Sequence, residues 1–193
     1  MLWASRGKQY FDMFKPQVDE VYVDAGAFDG GTILDFIRWS NGTYKKIFAL
    51  EPIKNMYEQT KQKMIQENVE RIEFINCAAW GRREELRFAE NGAASHKSTN
   101  GNIIIQGVDI DSVVKDEKVT FIKMDIEGSE LEALKGAKNT IRNHHPRLAI
   151  CIYHKPIDVI EIPAYILELV PEYKFYVRHY DSSLEETVLY ATV

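Results

Sequence analysis

The chain has 193 residues, of which 45% are hydrophobic, so it is long enough to bury one core and we expect one domain spanning residues 1–193. Its 24 basic and 29 acidic residues give a net charge of -5, which argues against a nucleic-acid partner or an anionic membrane surface. Apolar runs are only a few residues long and residues 1–15 lack the apolar core of a signal peptide, so we expect no membrane span and a soluble, cytoplasmic protein.

The first half of the chain alternates strand-like and helix-like segments. Strands are predicted at residues 21–25, 47–50 and 72–77, because these runs are apolar, β-branched or aromatic and end at turn-forming residues. A helix is predicted at residues 32–40. A second begins after Pro52 and carries Ile53, Met56 and Met64 on one face. Cys77 and Cys151 lie in such apolar runs without CxxC spacing, so we expect buried free thiols.

The second half repeats the alternation after an irregular middle. Short strands at 86–88 and 103–108 flank a polar segment, residues 91–101, that we expect to be a mobile loop. Strands are predicted at 119–124 and 148–153, a helical region broken near Gly136 at 129–143, and a helix containing Pro163 at 157–170. Strands at 173–179 and 187–192 should pair antiparallel across a short turn. This order predicts an α/β fold: a doubly wound, mostly parallel sheet with a C-terminal antiparallel hairpin.

A glycine-rich turn follows the first predicted strand. Its glycines let the backbone pass close to a ligand, and the helix that follows points amides at it. A dinucleotide fingerprint requires G-x-G-x-x-G, whereas Asp29 would place a carboxylate where a diphosphate sits. The turn therefore favours the ammonium and sulfonium of S-adenosylmethionine, which Asp24 and Asp29 would stabilise. An ordinary tight turn with a capping acid is the alternative.

Two further segments fit such a cofactor. Glu51 ends the second strand, 25 residues after Gly26, where doubly wound folds place an acid that accepts hydrogen bonds from ribose hydroxyls. A solvated glutamate at a strand end is the alternative. After the third strand, Ala78 and Trp80 offer a small residue and an aromatic ring for an adenine, although Trp80 is equally suited to packing under the following strands.

Four strings resemble the FkbM family of S-adenosylmethionine-dependent methyltransferases over nearly the whole chain: VDAGAFDGG, ALEP, FIKMDIEGSELEALKGA and IYHKPID, in this order. The resemblance implies a Rossmann-like class I methyltransferase fold with a seven-stranded sheet. It also implies methyl transfer to an oxygen, often a sugar or polyketide hydroxyl. It implies cofactor binding by Asp24, Gly26, Gly30 and Glu51. The expected cofactor contacts also include Ala27, Asp29, Pro52, Ala78 and Asp125.

Catalysis is expected after the fourth and fifth parallel strands, where a doubly wound sheet opens its crevice. Methyl transfer requires alignment of the acceptor and removal of its proton, for which Asp125, Glu127 and His154 are the candidates. Asp125 and Glu127 could instead be capping acids of the next helix, and His154 could bond a loop carbonyl. A divalent metal held by these three residues is a less favoured alternative, so no metal ligand is assigned.

The expected function is transfer of a methyl group to a hydroxyl of a sugar, polysaccharide precursor or other small molecule. The segment Asp125 to Ser129 lacks the Asn-Pro-Pro-Tyr type of motif common in methyltransferases that act on amino groups, which favours a hydroxyl acceptor. The alternatives are an NAD-dependent oxidoreductase on a similar fold and a non-catalytic S-adenosylmethionine-binding module. In the latter, partners would bind through the loop around Ser95, His96 and Lys97, which could otherwise close over the acceptor. Residues 9–11 are expected to cap the core rather than cover the cofactor.

Overall fold

The computed structural model of the chain describes residues 5, 7–89, 96–97, 103–183 and 185–193, with only the backbone for residues 88–89 and 96–97. The strands are β1 (Glu20–Ala25), β2 (Tyr44–Leu50), β3 (Ile72–Ile75), β4 (Ala78–Ala79), β5 (Glu84–Ala89), β6 (His96–Lys97), β7 (Ile103–Val108), β8 (Phe121–Met124), β9 (Arg147–Cys151), β10 (Lys174–His179) and β11 (Thr187–Thr192). The helices are α1 (Gly31–Trp39), α2 (Lys54–Gln66), α3 (Ile110–Val114), α4 (Glu130–Lys135), α5 (Lys138–His144) and α6 (Asp158–Leu169).

The main sheet has seven strands in the order β10-β11-β9-β8-β1-β2-β3. Strands β9, β8, β1, β2 and β3 pair with one another in parallel, whereas β11 is antiparallel to both β9 and β10. This confirms the predicted α/β, doubly wound, mostly parallel sheet with a C-terminal antiparallel hairpin. The chain leaves β1 toward β2 on one side and later returns through β8 on the other, so the order reverses between β1 and β8. Ligands bind at such a switch point in open α/β sheets.

A second sheet, in the order β4-β7-β5-β6, accounts for the irregular middle of the chain. Its strands β5 and β7 pair antiparallel and confirm the short strands predicted around residues 86–88 and 103–108. The sequence did not indicate that they form a sheet of their own. Of the polar segment 91–101, only His96 and Lys97 are described, as the short strand β6, so the expected mobile loop lies otherwise outside the described residues.

The core lies on both faces of the main sheet, which explains why its strands read as nearly continuous apolar runs. Along β1, Val21 and Val23 pack on one side and Tyr22 on the other, and all three are buried. On the Tyr22 side the ring stacks on Phe36 of α1 with centroids 4.2 Å apart. Phe11 joins the same cluster and caps the core as predicted, whereas Tyr10 also reaches Asp125 at the cavity.

Several local predictions are settled by packing. The predicted helical break falls at Gly136, between α4 and α5. Glycine is needed at this position, because a Cβ there would lie 1.9 Å from the carbonyl oxygen of Trp80. Trp80 is buried against Leu86 and Ile105, so it packs under the second sheet. Both cysteines are free thiols; Cys151 is buried, whereas Cys77, between β3 and β4, is partly exposed. Within the described part of the chain, no helix is long and apolar enough to cross a bilayer.

Candidate cofactor and catalytic site

A cavity of about 330 Å³ opens at the carboxyl ends of β1, β2 and β8, at the switch point of the sheet. This volume is within the range of small-molecule sites. Of the sequence-predicted residues, the cavity is lined by Gly26, Ala27, Asp29, Glu51, Pro52, Ala78, Asp125 and Glu127. Apolar walls come from Leu50, Ile53, Met56, Ala79 and Ile126. Gly30 is not among the lining residues; it is the N-cap of α1, with a φ of 76°.

The turn after β1 requires glycine at position 26. Gly26 has a φ of 84°, in the left-handed region, and a Cβ there would lie 2.0 Å from the carbonyl oxygen of Asp125. The close approach lets the ends of β1 and β8 continue their ladder, with the Asp125 amide donating to Ala25 at 3.1 Å. Gly26 thus brings the cofactor turn and Asp125 together.

Five amides of the turn after β1 are already hydrogen bonded inside the protein. The amides of Gly26 and Ala27 donate to the carbonyl of Leu50, at 3.0 and 3.1 Å. The amide of Gly30 donates to Ala27, that of Phe28 to the Glu51 carboxylate and that of Gly31 to the Asp29 carboxylate. A diphosphate cradle needs free amides at this place. The arrangement therefore opposes the dinucleotide alternative, and it also shows Asp29 capping α1.

Glu51 is held rigidly at the cavity wall. Its Oε2 accepts the Phe28 amide at 3.0 Å and its Oε1 accepts the Ile53 amide at 2.8 Å, so the carboxylate ties β2 to the turn. The side chain is nearly buried, and burial raises its pKa although the two amides oppose the shift. Each carboxylate oxygen retains a second acceptor position toward the cavity, which suits hydroxyl donors.

Asp24 does not line the cavity. Its side chain is 0% exposed, and its Oδ1 lies 3.1 Å from Nζ of Lys123, which is itself only 2% exposed. Thr32 donates to the other carboxylate oxygen at 2.5 Å. Lys123 also donates to the Gly26 carbonyl at 2.7 Å. The negative charge of Asp24 is therefore balanced by a buried lysine, and Asp24 shapes the turn rather than facing a ligand directly.

Asp125 is fixed by two tyrosines. Tyr10 donates to its Oδ2 at 2.9 Å and Tyr153 donates to its Oδ1 at 3.1 Å. Burial and the nearby carboxylate raise the pKa of both phenols, so they remain protonated donors. Burial also raises the pKa of Asp125, but Lys123, His154 and the Tyr10 bond outweigh it, so the pKa is lowered. These contacts favour the ionised form of Asp125 and orient its carboxylate.

Glu127 and His154 lie next to Asp125. Nε2 of His154 is 3.5 Å from Asp125 Oδ1 and 3.7 Å from Glu127 Oε2. Burial opposes protonation of His154, but Glu130, Asp125 and Glu127 together raise its pKa. Burial and the neighbouring carboxylates likewise raise the pKa of Glu127, whose backbone has a φ of 56°. The structure therefore brings the three predicted catalytic residues together.

The capping alternative does not describe this turn. Among the described contacts, neither the Asp125 nor the Glu127 carboxylate accepts an α4 amide. It is Glu130, in the first turn of α4, that reaches back to accept the Ile126 amide at 3.0 Å. The carboxylates of Asp125 and Glu127 are thus left to face the cavity.

The cavity has an acidic lining. Six carboxylates border it, from Asp29, Glu51, Asp125, Glu127, Glu185 and Glu186. Among the described residues that line the cavity, the one basic residue is Lys123, and its ammonium group is buried against Asp24. A cationic ligand is favoured in such a site, and a phosphate is not.

Sequence reasoning missed the supporting residues of the site. Lys123 could have been found, because a lysine inside an apolar strand is expected to have a buried partner. Tyr10 and Tyr153 carry no such signal: Tyr10 lies 115 residues from Asp125 in sequence, and only the fold joins them.

The comparisons with known proteins agree with this geometry. A family model described as the methyltransferase FkbM domain matches residues 24–180. The crystal structure of methyltransferase FkbM from Methylobacillus flagellatus KT is similar, with a TM-score of 0.81 and 30% identity over 95% of this chain. The chain spans only 46% of that protein. None of the curated proteins matches the sequence significantly.

More distant structures share the fold alone. One is an rRNA methylase from Streptococcus thermophilus, with a TM-score of 0.58 and 17% identity over 92% of this chain and 87% of that one. Another is a putative methyltransferase from Streptococcus mutans in complex with SAH, with a TM-score of 0.57 and 11% identity over 92% of this chain and 91% of that one. Since the family model covers most of the chain, from the cofactor turn to the C-terminal hairpin, the protein belongs to the FkbM methyltransferase family.

Proposed function

We propose that the protein is an S-adenosylmethionine-dependent O-methyltransferase that acts on a hydroxyl of a sugar, a polysaccharide precursor or another small molecule. The observation that carries the proposal is the cavity at the switch point, with acidic walls and a turn in which five amides are already bonded. Such a site fits a cationic sulfonium donor and does not fit a diphosphate. The bound SAH of the Streptococcus mutans neighbour agrees with this choice.

The residues present fit the donor's parts. Glu51 faces the cavity with free acceptor positions for ribose hydroxyls, and Pro52 and Ala78 line the wall beside it. Apolar contacts from Ile53, Met56 and Ile126 suit an adenine ring. When bound, S-adenosylmethionine supplies an electrophilic methyl group. The protein's task is then to hold an acceptor oxygen in line with that group and to take its proton.

Asp125 and Glu127 divide that task. Asp125 is ionised and locked by Tyr10 and Tyr153, so it is suited to orient an acceptor hydroxyl rather than to accept its proton. Glu127 is more exposed and its pKa is raised, which makes it the stronger base of the two. The raised pKa of His154 keeps its imidazole protonated to higher pH. A protonated imidazole cannot accept a proton, so His154 can act as a base only after it has lost its own.

Binding and turnover experiments test the proposal. Calorimetric titration with S-adenosylhomocysteine should give saturable binding, and titration with NAD should give none. Turnover with S-adenosylmethionine and a panel of hydroxyl- and amino-bearing acceptors should yield O-methyl products, identified by mass spectrometry and NMR.

Three outcomes would contradict the proposal. Binding of NAD alone would favour the oxidoreductase. Products methylated only on nitrogen would overturn the acceptor class. Cofactor binding without turnover on any acceptor would instead favour the non-catalytic module.

A further inference from the structure

Two side chains beside Asp125 carry buried polar atoms that have no hydrogen-bond partner among the described residues. The His154 side chain is only 9% exposed, and neither ring nitrogen makes a hydrogen bond of acceptable geometry, although Nδ1 lies 3.0 Å from Glu130 Oε1. Glu130 is fully buried; its Oε1 accepts the Ile126 amide, but its Oε2 has no partner. Buried polar atoms are almost always satisfied, so these atoms point to a missing ligand.

The atoms are placed as ligands of one ion would be. One ligand atom each from Asp125, Glu130 and His154 lies within 4.8 Å of the other two. Bonds of about 2.0–2.2 Å allow two ligands of the same ion to be at most roughly 4.4 Å apart. Side-chain movements that shift these ligand atoms by a few tenths of an ångström would therefore bring all three within bonding distance of one ion.

Charge points to a cation. Three carboxylates surround His154, those of Asp125, Glu127 and Glu130, so the cluster is negative even when the imidazole is protonated. The nearby lysines are engaged: Lys123 pairs with Asp24, and Lys155 donates to the Gly128 carbonyl. Uncompensated buried charge is costly, and a dication would balance it.

We propose that Asp125, Glu130 and His154 bind a divalent transition-metal ion beside the cofactor cavity. One imidazole with two carboxylates suits Mn²⁺, Fe²⁺ or Zn²⁺ better than Mg²⁺, which prefers oxygen ligands alone. If the proposed methyl transfer is correct, on which this step rests, an acceptor hydroxyl bound to the ion is more acidic, and Glu127 can take its proton. The chelated His154 is a ligand and not the base.

Direct titration of the full chain tests the site without turnover. Protein freed of metal by chelator dialysis is titrated with Mn²⁺, followed by electron paramagnetic resonance, and with Zn²⁺, followed by calorimetry. We expect one saturable site per chain. H154A and E130Q should each weaken the affinity by about 10- to 100-fold. E132Q, on the same helix α4 but paired with Lys135 at the surface, should leave it unchanged.

The wild-type titration decides the matter even if a variant folds poorly. Absence of saturable binding of either ion would overturn the site, as would equal affinity in wild type, H154A and E130Q. Binding of S-adenosylhomocysteine is measured on the same metal-free protein. Normal cofactor binding without saturable metal binding would remove the metal site and leave the proposed function intact. Metal binding without cofactor binding would retain the metal site and remove the proposed function.

Discussion

Gly26 lets the turn after β1 contact the end of β8, because any Cβ at this position would lie 2.0 Å from the carbonyl oxygen of Asp125. G26A should therefore suffer both a left-handed backbone and a steric clash. Gly42 provides a matched control, since its φ is 71° but a Cβ there would meet nothing within 4 Å. We expect G42A to lose about 1–2 kcal/mol of unfolding free energy. G26A should lose about 1–3 kcal/mol more.

Urea unfolding followed by circular dichroism measures the difference between the two variants. Equal losses in G26A and G42A would show that the turn and the Asp125 strand end are not in close contact.

Glu51 gives the cofactor affinity a pH dependence. Burial raises its pKa above the ordinary 4.5, so its carboxylate becomes protonated at a higher pH than an exposed glutamate. In the proposed binding mode the ionised form accepts the ribose hydroxyls, so affinity for S-adenosylhomocysteine should weaken as pH falls through that raised pKa. The effect on stability has the opposite sign. Because the pKa of Glu51 is raised in the folded state, the folded state binds the proton more tightly than the unfolded state, so protonation of Glu51 at low pH favours folding.

The variant E51Q tests this role. A glutamine side chain keeps one acceptor oxygen, but its amide nitrogen cannot accept a hydrogen bond from the second of the two backbone amides, those of Phe28 and Ile53. We therefore expect about a 10- to 100-fold loss of affinity near neutral pH and a flatter pH profile below it. E58Q, exposed on α2, should behave as wild type. Calorimetry from acidic to neutral pH measures both, and an unchanged profile in E51Q would assign the titration to another group.

The strand pair β1–β8 carries a buried ion pair between Asp24 and Lys123. K123M leaves the Asp24 carboxylate buried without its partner, which costs about 3–5 kcal/mol. The double variant D24N/K123M removes both charges and should recover part of that loss. K46M breaks a comparable pair between strands, with Glu73 of β3, but at the surface, where the expected loss is at most about 1 kcal/mol.

Urea unfolding of the wild type, K123M, D24N/K123M and K46M measures these losses. A double variant no more stable than K123M would indicate that the ion pair does not decide the stability of this strand pair.

The elements themselves were largely readable from sequence. The strands of the main sheet were predicted within a few residues, because parallel strands buried on both faces leave apolar runs ended by turn residues. The third strand was predicted two residues too long, since Asn76 and Cys77 lie between β3 and β4. The helix α3 was not predicted, because five residues are too few to show a helical period.

At the scale of the whole molecule, the sequence indicates which strand ends meet but not which side chains support them. The cofactor turn, Glu51 and Asp125 were predictable because each follows an apolar strand. The contacts of Tyr10, Lys123 and Glu130 were not, since they depend on packing between distant segments. The burial of Asp24 against Lys123 also shows that a motif acid can serve the turn without facing the ligand.

Ligand binding should stabilise the whole fold. A ligand at a hundredfold excess over its Kd adds about 2.7 kcal/mol, and a chain of this size gains roughly 2–4 °C in Tm for each kcal/mol. We therefore expect S-adenosylhomocysteine to raise the Tm by about 5–11 °C, and NAD at equal concentration to leave it unchanged. Differential scanning calorimetry measures the shift, and a larger effect of NAD would contradict the cofactor assignment.

The crystal structure of the protein grown with S-adenosylhomocysteine tests the central claim most directly. We expect density for the ligand in the cavity at the ends of β1 and β2, with its ribose hydroxyls on Glu51 and its sulfur directed toward Asp125 and Glu127. An empty cavity, with the ligand bound elsewhere on the protein, would contradict the assignment of the acidic turn as the site of the methyl donor.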